Sequence, residues 1–238
     1  MVPLKDDNPT QTTAYVTYGL VALNILVFLY ELTLSQPQLE RFFQAWAMVP
    51  RELTASFGST AAIAANPEWV TLFSSQFLHG GFLHIAGNML YLWIFGNNVE
   101  DRLGHVKFLI FYLVCGALAA LAQWYFASGS TIPSLGASGA IAGVMGAYII
   151  RFPKARVLTL VPLGIILIPF RIPAVFFLGF WFLMQAFNSI ASLGAPANLG
   201  METGGIAYWA HAGGFLFGMV LGPLLGLFTP RAGDRYLR

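Results

Sequence analysis

Long apolar segments dominate the chain and limit what it can fold into. Of its 238 residues, 57% are hydrophobic and only 9% are charged, whereas an average soluble domain carries roughly 25% charged residues. So few charges cannot cover the surface of a water-soluble globule of this size. A helix that crosses a bilayer needs about 20 mostly apolar residues, and several runs approach that length. We therefore expect a polytopic membrane protein.

Six of these apolar segments predict membrane-spanning helices, so the fold class is an all-α, six-transmembrane-helix bundle. A long outer loop, Ser35–Gly81, follows the first span; its aromatic residues among polar ones are typical of amphipathic pieces at the interface or of an ordinary folded loop. The apolar segment Val157–Phe170 contains Pro162 and Pro169, so we place it at the inner interface, with a seventh span as the alternative. The predicted spans are Ala14–Leu32, Phe82–Asn97, Phe108–Phe126, Ser138–Phe152, Ala174–Ile190 and Ile206–Leu227.

Lysine and arginine residues give the orientation. With a cytoplasmic N-terminus, ten cations lie on the cytoplasmic side and only Arg41 and Arg51 lie outside; cytoplasmic loops carry the excess of cations. Residues 1–13 and 229–238 are then cytoplasmic tails of a membrane domain, 14–228. The charged N-terminus and the missing small-residue cleavage site indicate a membrane anchor and not a signal peptide. No basic stripe indicates a nucleic-acid partner, and the single Cys115 excludes an internal disulfide.

Polar residues inside the predicted spans are few and lie at one depth. His84 and Asn88 lie in the second span, Ser138 begins the fourth and His211 lies in the sixth, all in the outer halves of their helices. At about 1.5 Å per residue, Ser138 lies roughly 20 Å from Arg151 at the inner end of its helix. The hydrocarbon core is about 30 Å thick, so Ser138 lies below the outer surface of the membrane. Such groups are costly in a bilayer and usually mark function. They predict a wet cavity that opens to the outside.

Ser138 and His211 are the residue types of a nucleophile and its base. A serine hydroxyl is a weak nucleophile and needs an adjacent base, and histidine suits that role near neutral pH. No carboxylate lies in the outer half of a span, and Glu31, at the outer end of the first span, has no visible route to His211. We therefore expect a dyad and not a triad. Glycines at four-residue spacing let the fourth and sixth spans approach closely: Gly139, Gly143, Gly214, Gly218 and Gly222.

His84 and Asn88 are one helical turn apart and can supply donors to an oxyanion, together with the backbone N–H of Ser138. His79 precedes them and is expected to support that region. Each residue taken alone is also explained by helix packing or by a hydrogen-bonded core histidine. His79, His84 and His211 could also bind a metal, but no carboxylate or thiolate completes such a site. We expect neither a metal nor a cofactor.

At these residues the sequence resembles the rhomboid family of intramembrane serine proteases, in its compact six-span bacterial form. The resemblance covers most of the chain, from about Trp69 to Leu227. The matching stretches are HGGFLHIAGN at 79–88, VEDRLG at 99–104, GASGAIAG at 136–143 and AHAGG at 210–214.

The resemblance implies a role for each matching residue. Ser138 attacks the scissile carbonyl, His211 moves the proton, and His84 and Asn88 hold the oxyanion. Gly136 shapes the nucleophile loop, and Glu100 and Arg102 are structural. Substrates are transmembrane segments of membrane proteins, which enter beside the second and fifth spans, where Trp181 and Phe182 could line a gate. The implied location is the inner (plasma) membrane, surrounded by lipid, with the site open to the periplasmic side.

One departure from the family is Ala142, which stands where some members carry a tyrosine packed against the catalytic histidine. Another group must therefore orient His211. The alternative function is a non-catalytic rhomboid-like protein that binds client helices. A small-solute channel or transporter would need polar groups that continue into the inner half of the bundle, and the sequence lacks them. The sequence indicates neither the natural substrate, nor the cleavage site, the oligomeric state or a regulator.

Overall fold

The computed structural model describes residues 1–57, 67–164, 166–193 and 207–230, which are mostly helical, as expected. Each predicted span overlaps one helix of at least fourteen residues; the start of the sixth, residue 206, lies outside the described residues. The helices are α1 (Tyr15–Glu31), α2 (Gln36–Trp46), α3 (Pro50–Ser56), α4 (Glu68–Ser74), α5 (Phe82–Leu103), α6 (His105–Phe126), α7 (Ser138–Arg151), α8 (Ala174–Ser192) and α9 (Tyr208–Leu224).

Two of these helices, α6 and α8, are both long and apolar enough to cross a membrane, and α1 and α7 are apolar but shorter. Much of α8 is exposed on the outside of the bundle, whereas α7 is buried from Gly139 to Tyr148. An apolar helix that exposes large side chains is expected to face lipid. Six membrane crossings remain a prediction.

The helix α5 continues beyond Asn97, the predicted end of the second span, to Leu103. It does so because its charged residues have partners in the N-terminal segment. Glu100 accepts hydrogen bonds from the backbone of Val16 (2.9 Å) and Thr17 (2.7 Å), and Asp101 accepts one from the backbone of Thr12 (2.8 Å). Buried carboxylates that are hydrogen-bonded in this way hold the N-terminal segment against the bundle.

Residues 1–13, predicted as a tail, include a β-strand packed on the cytoplasmic end of the bundle in the predicted topology. Asp6 accepts hydrogen bonds from the Tyr148 hydroxyl (2.5 Å) and from the side-chain amide of Asn98 (2.9 Å). Burial of its carboxyl group raises the pKa of Asp6. The N-terminal segment is therefore part of the fold.

A three-stranded antiparallel sheet adds to the helices and was not predicted. Its strands are β1 (Val2–Asp6), β2 (Arg156–Leu163) and β3 (Ile166–Pro173), in the order β1-β2-β3. The segment Val157–Phe170 therefore lies in a hairpin, and the alternative of a seventh spanning helix is wrong. Pro162 and Pro169 disfavour a helix there, because proline lacks an N–H and clashes with the preceding turn.

Glycine contacts bring α7 and α9 together, as the spacing predicts. A Cβ atom at Gly214 would overlap the carbonyl oxygen of Gly139, and a Cβ atom at Gly218 would overlap that of Gly143. Backbones can approach this closely only where both helices lack side chains. The free thiol of Cys115 is buried beside Gly143, as expected for a small core residue.

Residues between α1 and α5 hold the loop that leads to Ser138. Met48 and Ser134 exchange two backbone hydrogen bonds, and the N–H of Gly136 donates to the carbonyl of Ser75 (2.8 Å). The described residues of this outer segment form α2, α3, α4 and the 3-10 turn Ser75–Phe77. Its position at a membrane interface remains a prediction.

Candidate active site

Ser138 and His211 meet at the same end of two adjacent helices. Ser138 is the first residue of α7, and His211 lies one turn into α9. The Oγ atom of Ser138 is 2.8 Å from Nε2 of His211, which is hydrogen-bonding distance. The hydroxyl therefore has an adjacent base, which is the arrangement that activates a serine nucleophile.

The other ring nitrogen of His211 contacts Gln185 on α8. The side-chain oxygen Oε1 of Gln185 lies 2.9 Å from Nδ1 of His211. An amide oxygen only accepts hydrogen bonds, so Nδ1 carries the proton and Nε2 is free to accept the Ser138 hydroxyl proton. The Trp181 ring also lies beside the imidazole, with ring centroids 5.8 Å apart.

Gln185 is a site residue that sequence reasoning missed, although the signal was present. It lies inside the predicted fifth span, Ala174–Ile190, where a polar side chain usually marks function. A group that orients His211 was expected but not identified, because the polar residues singled out inside the spans all lie in even-numbered ones, whereas Gln185 lies in the fifth.

His84 and Asn88 lie on α5, across the cavity from α9. The Nδ1 atom of His84 accepts a long hydrogen bond from the N–H of Gly80 (3.4 Å). The amide nitrogen of Asn88 is 3.0 Å from Nε2 of His79. Both side chains line the same cavity as Ser138 and His211. The four polar residues predicted from the sequence therefore come together in space.

His79 connects this side of the cavity to Glu31. Its backbone N–H lies 3.2 Å and 3.4 Å from the two carboxylate oxygens of Glu31. Burial, with a smaller contribution from His84, lowers the pKa of His79 to about 4. His79 is therefore neutral at pH 7, and its Nε2 can accept one hydrogen of the Asn88 amide. Glu31, which had no visible route to His211 in the sequence, therefore contacts the His79 side of the cavity through the backbone of His79.

Gly136 lies in the loop before Ser138, with a backbone φ of +120° that residues with a side chain rarely adopt. A Cβ atom there would lie 2.7 Å from Nε2 of His84. The position therefore requires glycine both for its backbone conformation and for the close approach of His84. This geometry fits the expected shaping of the nucleophile loop.

The predicted site residues open onto a cavity of about 740 Å³. Its walls are mostly apolar, and the polar groups are concentrated at one place. Trp181 lines it, whereas Phe182, the other expected gate residue, stacks on Phe215 with ring centroids 4.7 Å apart. The residues that line it include Leu83, His84, Asn88, Tyr91, Ser138, Ile141, Met145, Trp181 and His211.

His79 and His84 have adjacent rings, with centroids 5.1 Å apart. No third metal-binding side chain completes a site with them within residues 1–57, 67–164, 166–193 and 207–230.

The fold and the site together define a helical membrane protein with a serine–histidine pair in a cavity between its helices. The family model of the Rhomboid domain matches residues 66–228, and the chain belongs to the rhomboid family. This confirms the family resemblance seen in the sequence motifs, while the compact six-span bacterial form remains a prediction. Members of the family are embedded in membranes.

The curated relatives include bacterial and mitochondrial proteins. The chain is 31% identical to "Rhomboid protease GluP" of Bacillus subtilis, over 97% of this chain and 40% of that protein. It is 31% identical to "Rhomboid protein 1, mitochondrial" of Saccharomyces cerevisiae, over 87% of this chain and 52% of that protein. It is 29% identical to the human "Presenilin-associated rhomboid-like protein, mitochondrial", over 84% of this chain and 46% of that protein. The chain thus spans about half the length of these relatives, or less.

Proposed function

We propose that this rhomboid family protein is an intramembrane serine endopeptidase of the compact six-span type, which cleaves transmembrane segments with a Ser138–His211 dyad. The 2.8 Å hydrogen bond between Oγ of Ser138 and Nε2 of His211 carries the proposal. The name of the Bacillus subtilis relative, a rhomboid protease, supports it.

The reaction follows from the positions of the two side chains. As Oγ of Ser138 bonds to the scissile carbonyl carbon, Nε2 of His211 takes the hydroxyl proton. His211 then gives that proton to the amide nitrogen as the C–N bond breaks, which leaves an ester on Ser138. A water molecule then attacks the ester while Nε2 of His211 takes its proton. His211 returns that proton to Oγ of Ser138 as the ester bond breaks, which releases the acid and restores the dyad. Both half-reactions use the same base.

The negative oxygen of each tetrahedral intermediate needs hydrogen-bond donors. Ser138 is the first residue of α7, so its backbone N–H and the positive end of the helix dipole face that charge. Asn88 donates one amide hydrogen to Nε2 of His79, so its other amide hydrogen is available to the oxyanion. His84 lies against Gly136 in the nucleophile loop and supplies a further ring N–H.

The cavity suits an apolar, extended segment of another membrane protein. Its apolar wall includes Leu83, Tyr91, Ile141, Met145 and Trp181, contributed by α5, α7 and α8. A substrate that enters between α5 and α8 would meet this wall before it reaches Ser138. We place the protein in the inner membrane, with both termini in the cytoplasm and the site on the outer side. The orientation follows because ten of the twelve cations then lie inside.

The test is cleavage of a model transmembrane substrate by the chain reconstituted in liposomes. Ser138→Ala and His211→Ala each remove one half of the dyad and should abolish cleavage while the variants stay folded. Cys115→Ala changes a buried residue that does not line the cavity, so it is the control and should keep its activity. Cleavage retained by the Ser138→Ala or His211→Ala variant would contradict the proposal. Binding of the segment without cleavage by the intact chain would favour the client-binding alternative.

A further inference from the structure

Gln185 is placed to hold the base of the dyad. It lies on α8, while Ser138 and His211 lie on α7 and α9, so the three side chains come from three helices. Its Oε1 atom is 2.9 Å from Nδ1 of His211, and Nε2 on the opposite side of the ring is 2.8 Å from Ser138. The imidazole therefore has a hydrogen-bond partner at each nitrogen.

Only one tautomer of His211 suits both contacts. A neutral imidazole has one N–H and one acceptor nitrogen. With Gln185 as acceptor at Nδ1, the acceptor nitrogen faces the serine, as a general base requires. Without that partner the proton is free to sit on Nε2, where it would block removal of the Ser138 proton. A carboxylate has this task in many hydrolases, and here a neutral amide occupies the position.

We propose that Gln185 is the positioning residue of the dyad, which fixes the tautomer and the ring orientation of His211. This inference rests on the proposed protease function. It also makes the site depend on α8, because a displacement of α8 away from α9 breaks the contact.

The test compares Gln185→Leu, which removes the acceptor at similar size, with Gln185→Glu, which keeps an acceptor and adds charge. Gln185→Leu should lower kcat about tenfold or more, with little change in KM. General acid–base catalysis usually contributes about 10²–10⁴-fold to the rate, and loss of the positioning residue should remove part of that contribution. Gln185→Glu should retain activity, and the acidic limb of its pH–rate profile should move to higher pH, because a carboxylate stabilises the imidazolium. His84 and Tyr91, the titratable side chains that line the cavity besides His211 among the described residues, are present in every variant.

Asn188→Leu, three residues further along α8, is the matched control and should leave kcat and the pH profile unchanged. An unchanged kcat for Gln185→Leu would overturn the assignment. Should that variant not fold, an unshifted pH profile for Gln185→Glu would overturn it equally. An inactive wild-type chain would instead refute the proposed protease function, so the two failures are distinguishable.

A second, independent observation concerns the two faces of the β2–β3 hairpin. Residues paired across an antiparallel sheet share a face, so the register defines a bundle-side face: Val157 with Ile172, Thr159 with Phe170, Val161 with Ile168, and Leu163 with Ile166. Val157 and Ile172 pack against the main hydrophobic core. This face therefore points at the end of the helix bundle.

The tip of the same face extends beyond the bundle. Leu163 lies six positions after Val157, which is about 20 Å at the usual rise of a strand. At the tip, Leu163 is 56% exposed and Ile166 is 62% exposed. Near the core, this face of the hairpin covers the ends of the helices. At the tip, beyond the helices, the same face is directed toward the lipid that surrounds them.

The opposite face carries the cations of the sheet. Arg156 lies on it, and Lys5 of β1 and Arg171 of β3 both pair with Leu158 there. The bundle-side face has no charged residue on β2 or β3. Cations near the surface favour anionic headgroups, and an amphipathic element with one apolar face lies in the interface plane. β3 also runs directly into α8, whose exposed apolar side chains begin at Val175 and Phe176.

We infer that the bundle-side face of the hairpin tip rests on the acyl chains of the leaflet at this end of the bundle. The test uses spin labels on single cysteines, in a Cys115→Ala background, in phosphatidylethanolamine–phosphatidylglycerol liposomes. Ile166→Cys and Leu167→Cys are matched, since the native side chains are 62% and 59% exposed and lie on opposite faces. The label at 166 should collide more with oxygen, and the label at 167 more with a water-soluble nickel chelate. Equal ratios at both positions, or a label at 166 shielded from both reagents by protein, would overturn the inference.

Discussion

Gly218 on α9 lies against the carbonyl oxygen of Gly143 on α7, so closely that a Cβ atom would overlap it. One turn nearer the site, Gly214 lies in the same way against Gly139. These contacts set the distance between the helices that carry Ser138 and His211. The hydrogen bond of the proposed dyad thus depends on a backbone contact deeper in the bundle.

Gly218→Ala should destabilise the protein and reduce cleavage, because the added methyl group pushes α9 away from α7. Overpacking of a tight core typically costs about 1–3 kcal/mol. Thermal unfolding in detergent measures the stability. Gly179→Ala on α8 is the control, since its Cβ atom would have no neighbour within 4 Å. Equal stability of the two variants would show that the glycine contact does not set the helix distance.

Asn88→Ala should lower kcat and leave the fold intact, because it removes a donor to the oxyanion. Loss of one such donor lowers the rate about 10²–10³-fold in soluble proteases, which is less than the complete loss expected for Ser138→Ala. Steady-state cleavage of the model substrate gives the effect. Asn24→Ala removes a buried asparagine on α1 that bonds to the Leu20 carbonyl, and it should affect stability more than kcat. An Asn88→Ala enzyme with wild-type kcat would exclude Asn88 from the oxyanion site.

His79 should make the protein less stable in mild acid. Its pKa is 6.5 in an ordinary environment and about 4 in the fold, so the unfolded chain binds a proton between these values that the folded chain does not. Stability therefore rises with pH across this window and is lost as the pH falls from 6.5 toward 4. His79→Gln removes this titration. His84 and Glu31, the titratable groups that contact His79, are unchanged in the variant.

The measurement is the unfolding midpoint from pH 4 to 7 for wild type and His79→Gln. The wild-type midpoint should fall more steeply on acidification than that of the variant. Parallel curves for the two proteins would mean that His79 is not neutral in the fold.

The helices and the polar cluster could be predicted because the local signals were strong. Apolar runs locate α1 and α5 to α9 to within a few residues at most ends, and the spacing of glycines predicts the close approach of α7 and α9. Ser138, His84, Asn88 and His211 stand out because polar residues are costly in a spanning helix. The end of α5 was not predicted correctly, because charged residues such as Glu100 and Asp101 usually mark the end of a spanning helix. Their hydrogen-bond partners lie far earlier in the chain and could not be identified from the sequence.

The sheet and the partner of His211 could not be predicted in the same way. Strand pairing of β1 with β2 joins residues about 150 positions apart, for example Asp6 with Val157, and nothing in either segment specifies the other. An apolar stretch such as Val157–Phe170 fits a strand, a buried helix or an interfacial segment equally well. Gln185 carried a usable signal, but its contact with His211 depends on how α8 packs against α9.

The most direct test of the account is covalent labelling of the reconstituted chain with a fluorophosphonate, followed by mass spectrometry of the modified peptide. An activated serine reacts with this probe, whereas an ordinary hydroxyl does not. We predict one adduct, on Ser138, which is absent in Ser138→Ala and strongly slowed in His211→Ala. A folded wild-type chain that forms no adduct on Ser138, or one labelled equally in His211→Ala, would contradict the dyad.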